Sequence, residues 1–167
     1  PFDDLDAWIP PDHDRYWKVP NGPLPKSLQE SILAFVLVCA TRRARGNENE
    51  HNSMLLHLSR LQDVQKEIFQ VIEDHLNKIK RAIRNSTNVD PREVVLELKK
   101  LWESDFLETT AEFDDPNLRS INWDEIYSHL LPAVEKIKVK VINGTSSDAL
   151  DYYENRKLGV SVIAIGG

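Results

Sequence analysis

An apolar run bounded by polar residues, from His51 to Arg60, is followed at once by a long amphipathic helix pattern. This order is typical of a parallel strand that ends at the carboxyl edge of a sheet and turns into a helix. The run from Val160 to Gly167 predicts a second such strand. Since parallel strands are joined by crossover helices, the pattern favours an α/β fold. In open α/β sheets, ligands bind at the carboxyl edge.

The rest of the chain predicts a small, partly parallel three-stranded sheet flanked by several helices, and this fold is rich in helix. Residues 1–25 are rich in proline and tryptophan, and they predict an extended lead-in that packs on the body without regular helix. Residues 26–167 are expected to form a single α/β domain. Within that domain, the helical stretch 86–131 is interpreted as an insertion.

Local signals predict where the helices begin and end. Ser27 and Glu30 match a capping box at the start of one helix, and Gly46 follows cationic residues at its end. Asn122 is the expected cap of a later helix, which Pro132 is expected to end or bend.

Composition indicates an ordinary globular protein, with 41% hydrophobic and 29% charged residues. The single cysteine, Cys39, excludes a disulfide framework and favours a reducing, cytoplasmic location. The longest apolar run, Ile32 to Ala40, is too short to span a bilayer. With a formal net charge of −6, any site for a polyanion has to be a local patch on an acidic body.

Four stretches resemble the Z-one domain, a bacterial family that carries an endonuclease label: residues 24–28, 42–46, 51–65 and 162–167. The family occurs in large proteins with an ATPase similar to superfamily-two helicases, often beside restriction or phage-defence genes. The resemblance therefore implies an incomplete RecA-like second half of a helicase-like ATPase. It makes the strand before Arg60 similar to the helicase strand that bears the fourth motif, and the final strand similar to the one that leads into the fifth.

The resemblance also implies a fragment of a larger protein. In the family the paired glycines, Gly166 and Gly167, lead into a loop with Ser-Arg-Gly, which is not in this sequence. The sequence also has neither a Gly-rich phosphate loop with Lys and Ser/Thr nor a paired-acid magnesium motif. We therefore expect no cofactor in this chain, whereas the parent protein is a candidate for binding ATP and Mg²⁺.

Five residues are predicted to contact nucleic acid, and the resemblance implies that this nucleic acid is DNA. They are Ser59, Arg60, His57, Arg42 and Arg43. An arginine at the end of a parallel strand can bind a phosphate with two hydrogen bonds, and a serine can donate another. By strand alternation, His57 is expected on the same side as Ser59. The alternative is that Ser59 caps the next helix, Arg60 lies on the surface, and the other arginines complement a helix carboxyl end.

A polar turn precedes the last predicted helix, where an anion can bind at a helix amino end. The candidate residues are Asn143, Gly144, Thr145 and Ser146, together with Gly166 and Gly167 at the end of the final strand. A plain turn is an equal interpretation. We predict no catalytic residue and no metal ligand, because Glu97 and Lys99 lie on a predicted helix and point apart.

The leading hypothesis is that the chain contacts nucleic acid and partners an ATPase in bacterial DNA processing or defence, without a complete active site of its own. Two alternatives stay open. In the first, the chain is a helical protein-interaction or scaffolding module that binds a partner through Trp102 or Trp123. In the second, it belongs to a true nuclease whose acidic residues lie outside this sequence.

Overall fold

The computed structural model describes residues 3–87, 92–112, 118–142 and 159–166. The chain combines helices with three strands, as the sequence pattern predicted, and the short helix expected before the last strand lies outside the described residues. In chain order the elements are α1 (Asp3–Trp8), α2 (Lys26–Ala44), β1 (Asn52–Leu56), α3 (Gln62–Arg84), α4 (Glu93–Leu101), a π-helical turn (Trp102–Phe106), α5 (Leu107–Glu112), α6 (Trp123–Lys136), β2 (Ile137–Ile142) and β3 (Ser161–Gly166).

The three strands form one parallel sheet in the order β1-β3-β2. Asn52 of β1 lies opposite Ser161 of β3, and Ile137 of β2 lies opposite the same residue on the other side. All six residues of β3 are buried, as expected for the central strand of a parallel sheet. The predicted α/β fold is confirmed, including the parallel pairing of the strands that end near Leu56 and Ile165.

Contacts within the chain divide it into two compact units. The first comprises residues 1–32, 49–76 and 137–167 and contains the sheet. The second comprises residues 33–48 and 77–136. The boundaries predicted from the sequence, at residue 25 and around 86–131, stay predictions.

Each unit has an apolar core of fully buried side chains. In the first unit, Ile68 and Ile72 of α3 and Ile163 of β3 are 0% exposed. In the second unit, Leu98 of α4 and Leu130 of α6 are also 0% exposed. The isoleucines of α3 recur at helical spacing, so one face of this helix is apolar and buried.

The amino-terminal segment contains a helix, α1, where we predicted none. The prediction was wrong because α1 ends at Trp8, before the first internal proline, so no proline interrupts its hydrogen bonds. Asp4 of α1 accepts hydrogen bonds from the backbone N–H of Ser27 at 2.9 Å and from its hydroxyl at 2.6 Å. Asp4 thus caps α2, in place of the predicted Ser27 capping box.

Pro132 neither ends nor visibly divides α6, which runs from Trp123 to Lys136. The prediction that the helix ends at Pro132 was wrong, whereas a bend there stays a prediction. Ile126, Leu130 and Val134 of the same helix are all 0% exposed. Burial of these apolar side chains stabilises the helix against the loss of the one N–H that proline cannot donate.

The end of α2 agrees with the sequence pattern. Gly46 has a φ of 87°, and its N–H donates to the carbonyl of Arg43 at 3.0 Å while the N–H of Asn47 donates to that of Arg42 at 2.9 Å. This pair of bonds is a Schellman motif, which requires a residue that tolerates the left-handed conformation.

Within the described ranges, no helix combines the length and the hydropathy needed to cross a bilayer.

Two leucines of α4 offer a matched test of the second unit's core. Leu98 is 0% exposed, whereas Leu96 of the same helix is 52% exposed. We expect Leu98→Ala to lower the free energy of unfolding by about 2–5 kcal/mol, because it leaves a cavity. Leu96→Ala should change it by less than about 0.5 kcal/mol. Urea denaturation followed by circular dichroism measures both, and equal effects would contradict the described packing.

Candidate functional site

The candidate site lies in the turn between β1 and α3. Strand β1 ends at Leu56, so His57, Ser59 and Arg60 lie beyond it, at the carboxyl edge of the sheet. His57 and Arg60 are exposed, whereas Ser59 is only 5% exposed. Strand alternation does not reach His57 and Ser59, because the extended pairing stops before either residue, so their expected position on the same side stays a prediction.

Ser59 is held by hydrogen bonds within this turn. Its Oγ accepts the backbone N–H of Leu61 at 3.1 Å, and its carbonyl accepts a hydrogen bond from Nε2 of Gln65 at 2.9 Å. Gln65 is 0% exposed, and its amide therefore fixes the turn from inside the core. The serine supports the start of α3 as well as lying at the candidate site.

A residue of the amino-terminal segment, His13, also contacts Ser59. Its Nε2 lies 2.7 Å from Oγ of Ser59, and its Nδ1 lies 2.8 Å from the carbonyl oxygen of Pro10. No role was predicted for His13 from the sequence. The contact joins residues 46 positions apart, and no local spacing in the sequence predicts such a contact.

These residues line an open groove of about 410 Å³ within the first unit, which we call the Ser59 groove. Its volume falls in the range of small-molecule sites in proteins. One wall comes from the amino-terminal segment and the other from the turn after β1. The lining residues are Asp6, Ile9, Pro11, His13, His57, Leu58, Ser59, Arg60 and Leu61.

The chemistry of the Ser59 groove favours binding of an anion. Arg60 contributes a permanent positive charge, and the imidazole groups of His13 and His57 can carry one each. The 23-residue helix α3 begins immediately after the groove, and the amino end of a helix is favourable for anions. Asp6 is the one carboxylate among the lining residues. A serine beside a histidine is also the pairing found in hydrolases, in which a third group orients the imidazole. Here the partner of Nδ1 of His13 is the carbonyl oxygen of Pro10.

Arg42 and Arg43 belong to the second unit, whereas the Ser59 groove belongs to the first. Both are half-buried in the last turn of α2, where cations complement the helix dipole. The Nε atom of Arg43 is buried without a hydrogen-bond partner in the described part of the chain. Their predicted contact with nucleic acid stays a prediction.

A neighbouring arginine pair links the end of α2 to the start of α6. The guanidinium of Arg119 donates to the carbonyl of Ala44 and, at 2.7 Å, to Glu125. Hydrogen bonding from Arg119 and from the N–H of Asn122 lowers the pKa of Glu125. Burial, together with the charge of Arg119, lowers the pKa of Arg45. Asn122 and Glu125 exchange hydrogen bonds as a capping box, which confirms Asn122 as the cap of α6.

The predicted anion-binding turn, Asn143, Gly144, Thr145 and Ser146, lies outside the described residues, as does Gly167. Gly166 is the last residue of β3. A Cβ atom on it would lie 3.1 Å from the carbonyl oxygen of Ile142 and 3.6 Å from the side chain of Leu55. The distance to Leu55 is an ordinary contact, whereas the one to Ile142 is tight, so the lack of a side chain allows the close approach of β2 to β3 at this end.

His51 and Asn52 open the stretch that carries the resemblance, and both hold the other end of the sheet. Nδ1 of His51 accepts the N–H of Val160 at 3.0 Å. The amide of Asn52 donates to Oγ of Ser161 at 3.3 Å, while its Oδ1 is buried without a partner in the described part of the chain. These two residues have a structural role at the start of the strands.

Glu97 and Lys99 lie on helix α4, as predicted, and both are exposed. In the described ranges, no group of three or more His, Cys, Asp or Glu side chains is arranged to hold a metal ion. Trp102 is 2% exposed and packs beside Phe106, with ring centroids 6.0 Å apart. It is therefore a core residue, which corrects its expected role in binding a partner, whereas Trp123 is half-buried beside Tyr127.

Residues 27–167 match the family model of the Z1 domain, the family called the Z-one domain above. The match includes the helical stretch 86–131, which lies outside the four stretches that carry the resemblance. No curated protein and no solved structure matches the chain. His13 and the rest of the amino-terminal wall of the Ser59 groove lie outside the matched residues.

The contact that caps α2 also predicts a dependence on pH. Hydrogen bonds from the hydroxyl and then the N–H of Ser27 lower the pKa of Asp4 below its ordinary value of 3.8. The stability that this carboxylate contributes is therefore present above its unfolded-state pKa and is lost as pH falls through the folded-state pKa. We expect Ser27→Ala to raise the pKa of Asp4, measured by NMR titration of its carboxyl carbon.

The same variant should lose less stability than the wild type between about pH 6 and pH 3, because less of its stability depends on ionised Asp4. Ser31→Ala is the matched control, since the hydroxyl of Ser31 donates to the carbonyl of Ser27 and does not contact Asp4. An unchanged pKa of Asp4 in Ser27→Ala would contradict this account of the cap.

Proposed function

The chain belongs to the Z1 domain family, and we propose that it is the nucleic-acid-contacting half of a larger, helicase-like protein of bacterial DNA processing or defence. In this proposal it acts in the cytoplasm, and the Ser59 groove contacts the phosphate backbone of DNA. The chain works with the remainder of its parent protein and has no complete active site of its own.

One observation carries the proposal. Arg60 and His57 are exposed beside buried Ser59, at the carboxyl end of β1 and directly before the amino end of α3. Carboxyl ends of parallel strands are where open α/β sheets bind ligands. An exposed arginine with a hydroxyl and a helix amino end nearby matches the chemistry of a phosphate group.

The charge of the chain fits a local contact rather than a broad one. With a formal net charge of −6, the body repels DNA except where cations gather. A phosphate contact at Arg60 would therefore position a strand that other parts of the parent protein also hold. It would not read the base sequence.

ATP and Mg²⁺ enter this proposal only as ligands of the remainder of the parent protein. The sequence has no Gly-rich loop with Lys and Ser/Thr to hold the phosphates of a nucleotide, so its residues do not fit ATP on their own. In this proposal the chain itself binds and orients a phosphate group through the side chains of Arg60, His13, His57 and Ser59.

Replacing Arg60 tests the proposal directly. We expect Arg60→Ala to weaken binding of a fluorescent oligodeoxynucleotide about uniformly across sequences, and to reduce the slope of log K against log salt by about 1. Fluorescence anisotropy between about 50 and 200 mM salt, with single-stranded and duplex DNA, measures both quantities.

The matched control is Arg81→Ala, which removes an equally charged, exposed side chain from the second unit, on α3. It should leave affinity and salt slope close to those of the wild type. Equal losses in the two variants would indicate nonspecific attraction of DNA to positive charge, and would contradict a site at Arg60.

We also expect the isolated chain to cleave no DNA and hydrolyse no ATP when Mg²⁺ is added. Plasmid cleavage on gels and phosphate release measure these activities. Magnesium-dependent cleavage by the pure chain, abolished by one point substitution within it, would contradict the proposal, because the chain would then have a complete active site of its own. The alternative nuclease hypothesis, with acidic residues outside this sequence, predicts no cleavage by the isolated chain either.

A further inference from the structure

The hydrogen bond between His13 and Ser59 raises the question of which group supplies its proton. Nδ1 of His13 faces the carbonyl oxygen of Pro10 at 2.8 Å. A carbonyl oxygen only accepts, so Nδ1 carries a proton and donates it. In neutral histidine the other ring nitrogen, Nε2, then has no proton and acts as the acceptor.

The hydroxyl of Ser59 is therefore the donor in this bond when His13 is neutral. Its Oγ lies 2.7 Å from Nε2 of His13 and also accepts the N–H of Leu61 at 3.1 Å. A serine hydroxyl has a single proton. While that proton points to His13, Ser59 offers an approaching anion only lone pairs, which repel it.

Protonation of His13 reverses the direction of the bond. Nε2 of the imidazolium donates to Oγ of Ser59, and the hydroxyl proton is released to rotate toward the Ser59 groove. The same event places a positive charge on the groove wall. Both changes favour a phosphate group.

We propose that His13 is a further member of the anion site, and that binding of a DNA phosphate beside Ser59 is coupled to uptake of one proton by His13. This inference rests on the proposed function and names the regulation of the same groove. It assigns the proton linkage to the amino-terminal segment, outside the residues that match the family model.

Charged groups of both walls line the groove together with His13. Asp6 of α1 favours the imidazolium, whereas Arg60 and a protonated His57 of the opposite wall disfavour it. A phosphate group adds negative charge to the same space and thereby favours the protonated form. Trp17 contacts the imidazole with a ring-centroid distance of 6.3 Å and adds no charge.

The test is the pH dependence of DNA binding by the full chain. Anisotropy of a fluorescent single-stranded oligonucleotide is measured at constant ionic strength at about pH 5.5 and about pH 7.5, since the charge of histidine changes in this range. We expect the wild type to bind about 5-fold or more tightly at the lower pH, a coupling of typical size.

Three variants separate the causes. His13→Ala should reduce this pH dependence to the part that His57 contributes, because the hydroxyl of Ser59 is then released at both pH values. Ser59→Ala should weaken binding at the lower pH, where the hydroxyl is free to donate to a phosphate. It should leave binding unchanged at the higher pH, where the hydroxyl donates to His13. His129→Ala, on α6 of the second unit, is the matched histidine control and should keep the wild-type dependence.

Circular dichroism at both pH values checks that each variant is folded. If His13→Ala does not fold, the Ser59→Ala comparison decides the question. Equal affinity of the wild type at the two pH values, or a pH dependence in folded His13→Ala that is as large as in the wild type, would overturn the inference. In that case salt-dependent binding that needs Arg60 would still support the proposed function, whereas no DNA binding at either pH would contradict both.

Discussion

The buried central strand β3 is the constraint on which the rest of the first unit depends. It pairs in parallel with β1 on one side and with β2 on the other, and all six of its residues are buried. Because both neighbours run in the same direction as β3, their carboxyl ends meet at one edge of the sheet. The turn from β1 into α3, and with it Ser59, lies at that edge, so the place of the site follows from hydrogen bonding within the sheet.

Much of this arrangement could be predicted from the sequence, because it is local. The apolar runs, the helical spacing of α3 and the stop at Gly46 each depend on residues that are neighbours in the chain. Parallel pairing followed from the helices between the strands. The resemblance to the Z1 domain was also visible in short stretches, and the family model extends it to residues 27–167.

What could not be predicted depends on contacts between distant residues. His13 reaches Ser59 across 46 positions, and Asp4 caps α2 across 23. No local sequence pattern predicts either contact. The short helix that carries Asp4 was not predicted, because the prolines of residues 1–25 argued against a helix there. Strand alternation was also extended too far, to His57 and Ser59, because the strand stops at Leu56, and strand ends are set by backbone pairing rather than by residue type.

The amide of Asn52, with its unpartnered oxygen, has a consequence for strand alignment. A strand buried on both faces carries no alternation of apolar and polar residues, so hydrophobic burial alone hardly distinguishes the correct register of β3 from one displaced by two residues. The hydrogen bonds from Asn52 to Ser161 and from the N–H of Val160 to His51 are satisfied in one register only. A buried oxygen without a partner costs about 1–3 kcal/mol. The side chain of Asn52 thus favours one alignment of β1 with β3, although its oxygen stays without a partner in the described part of the chain.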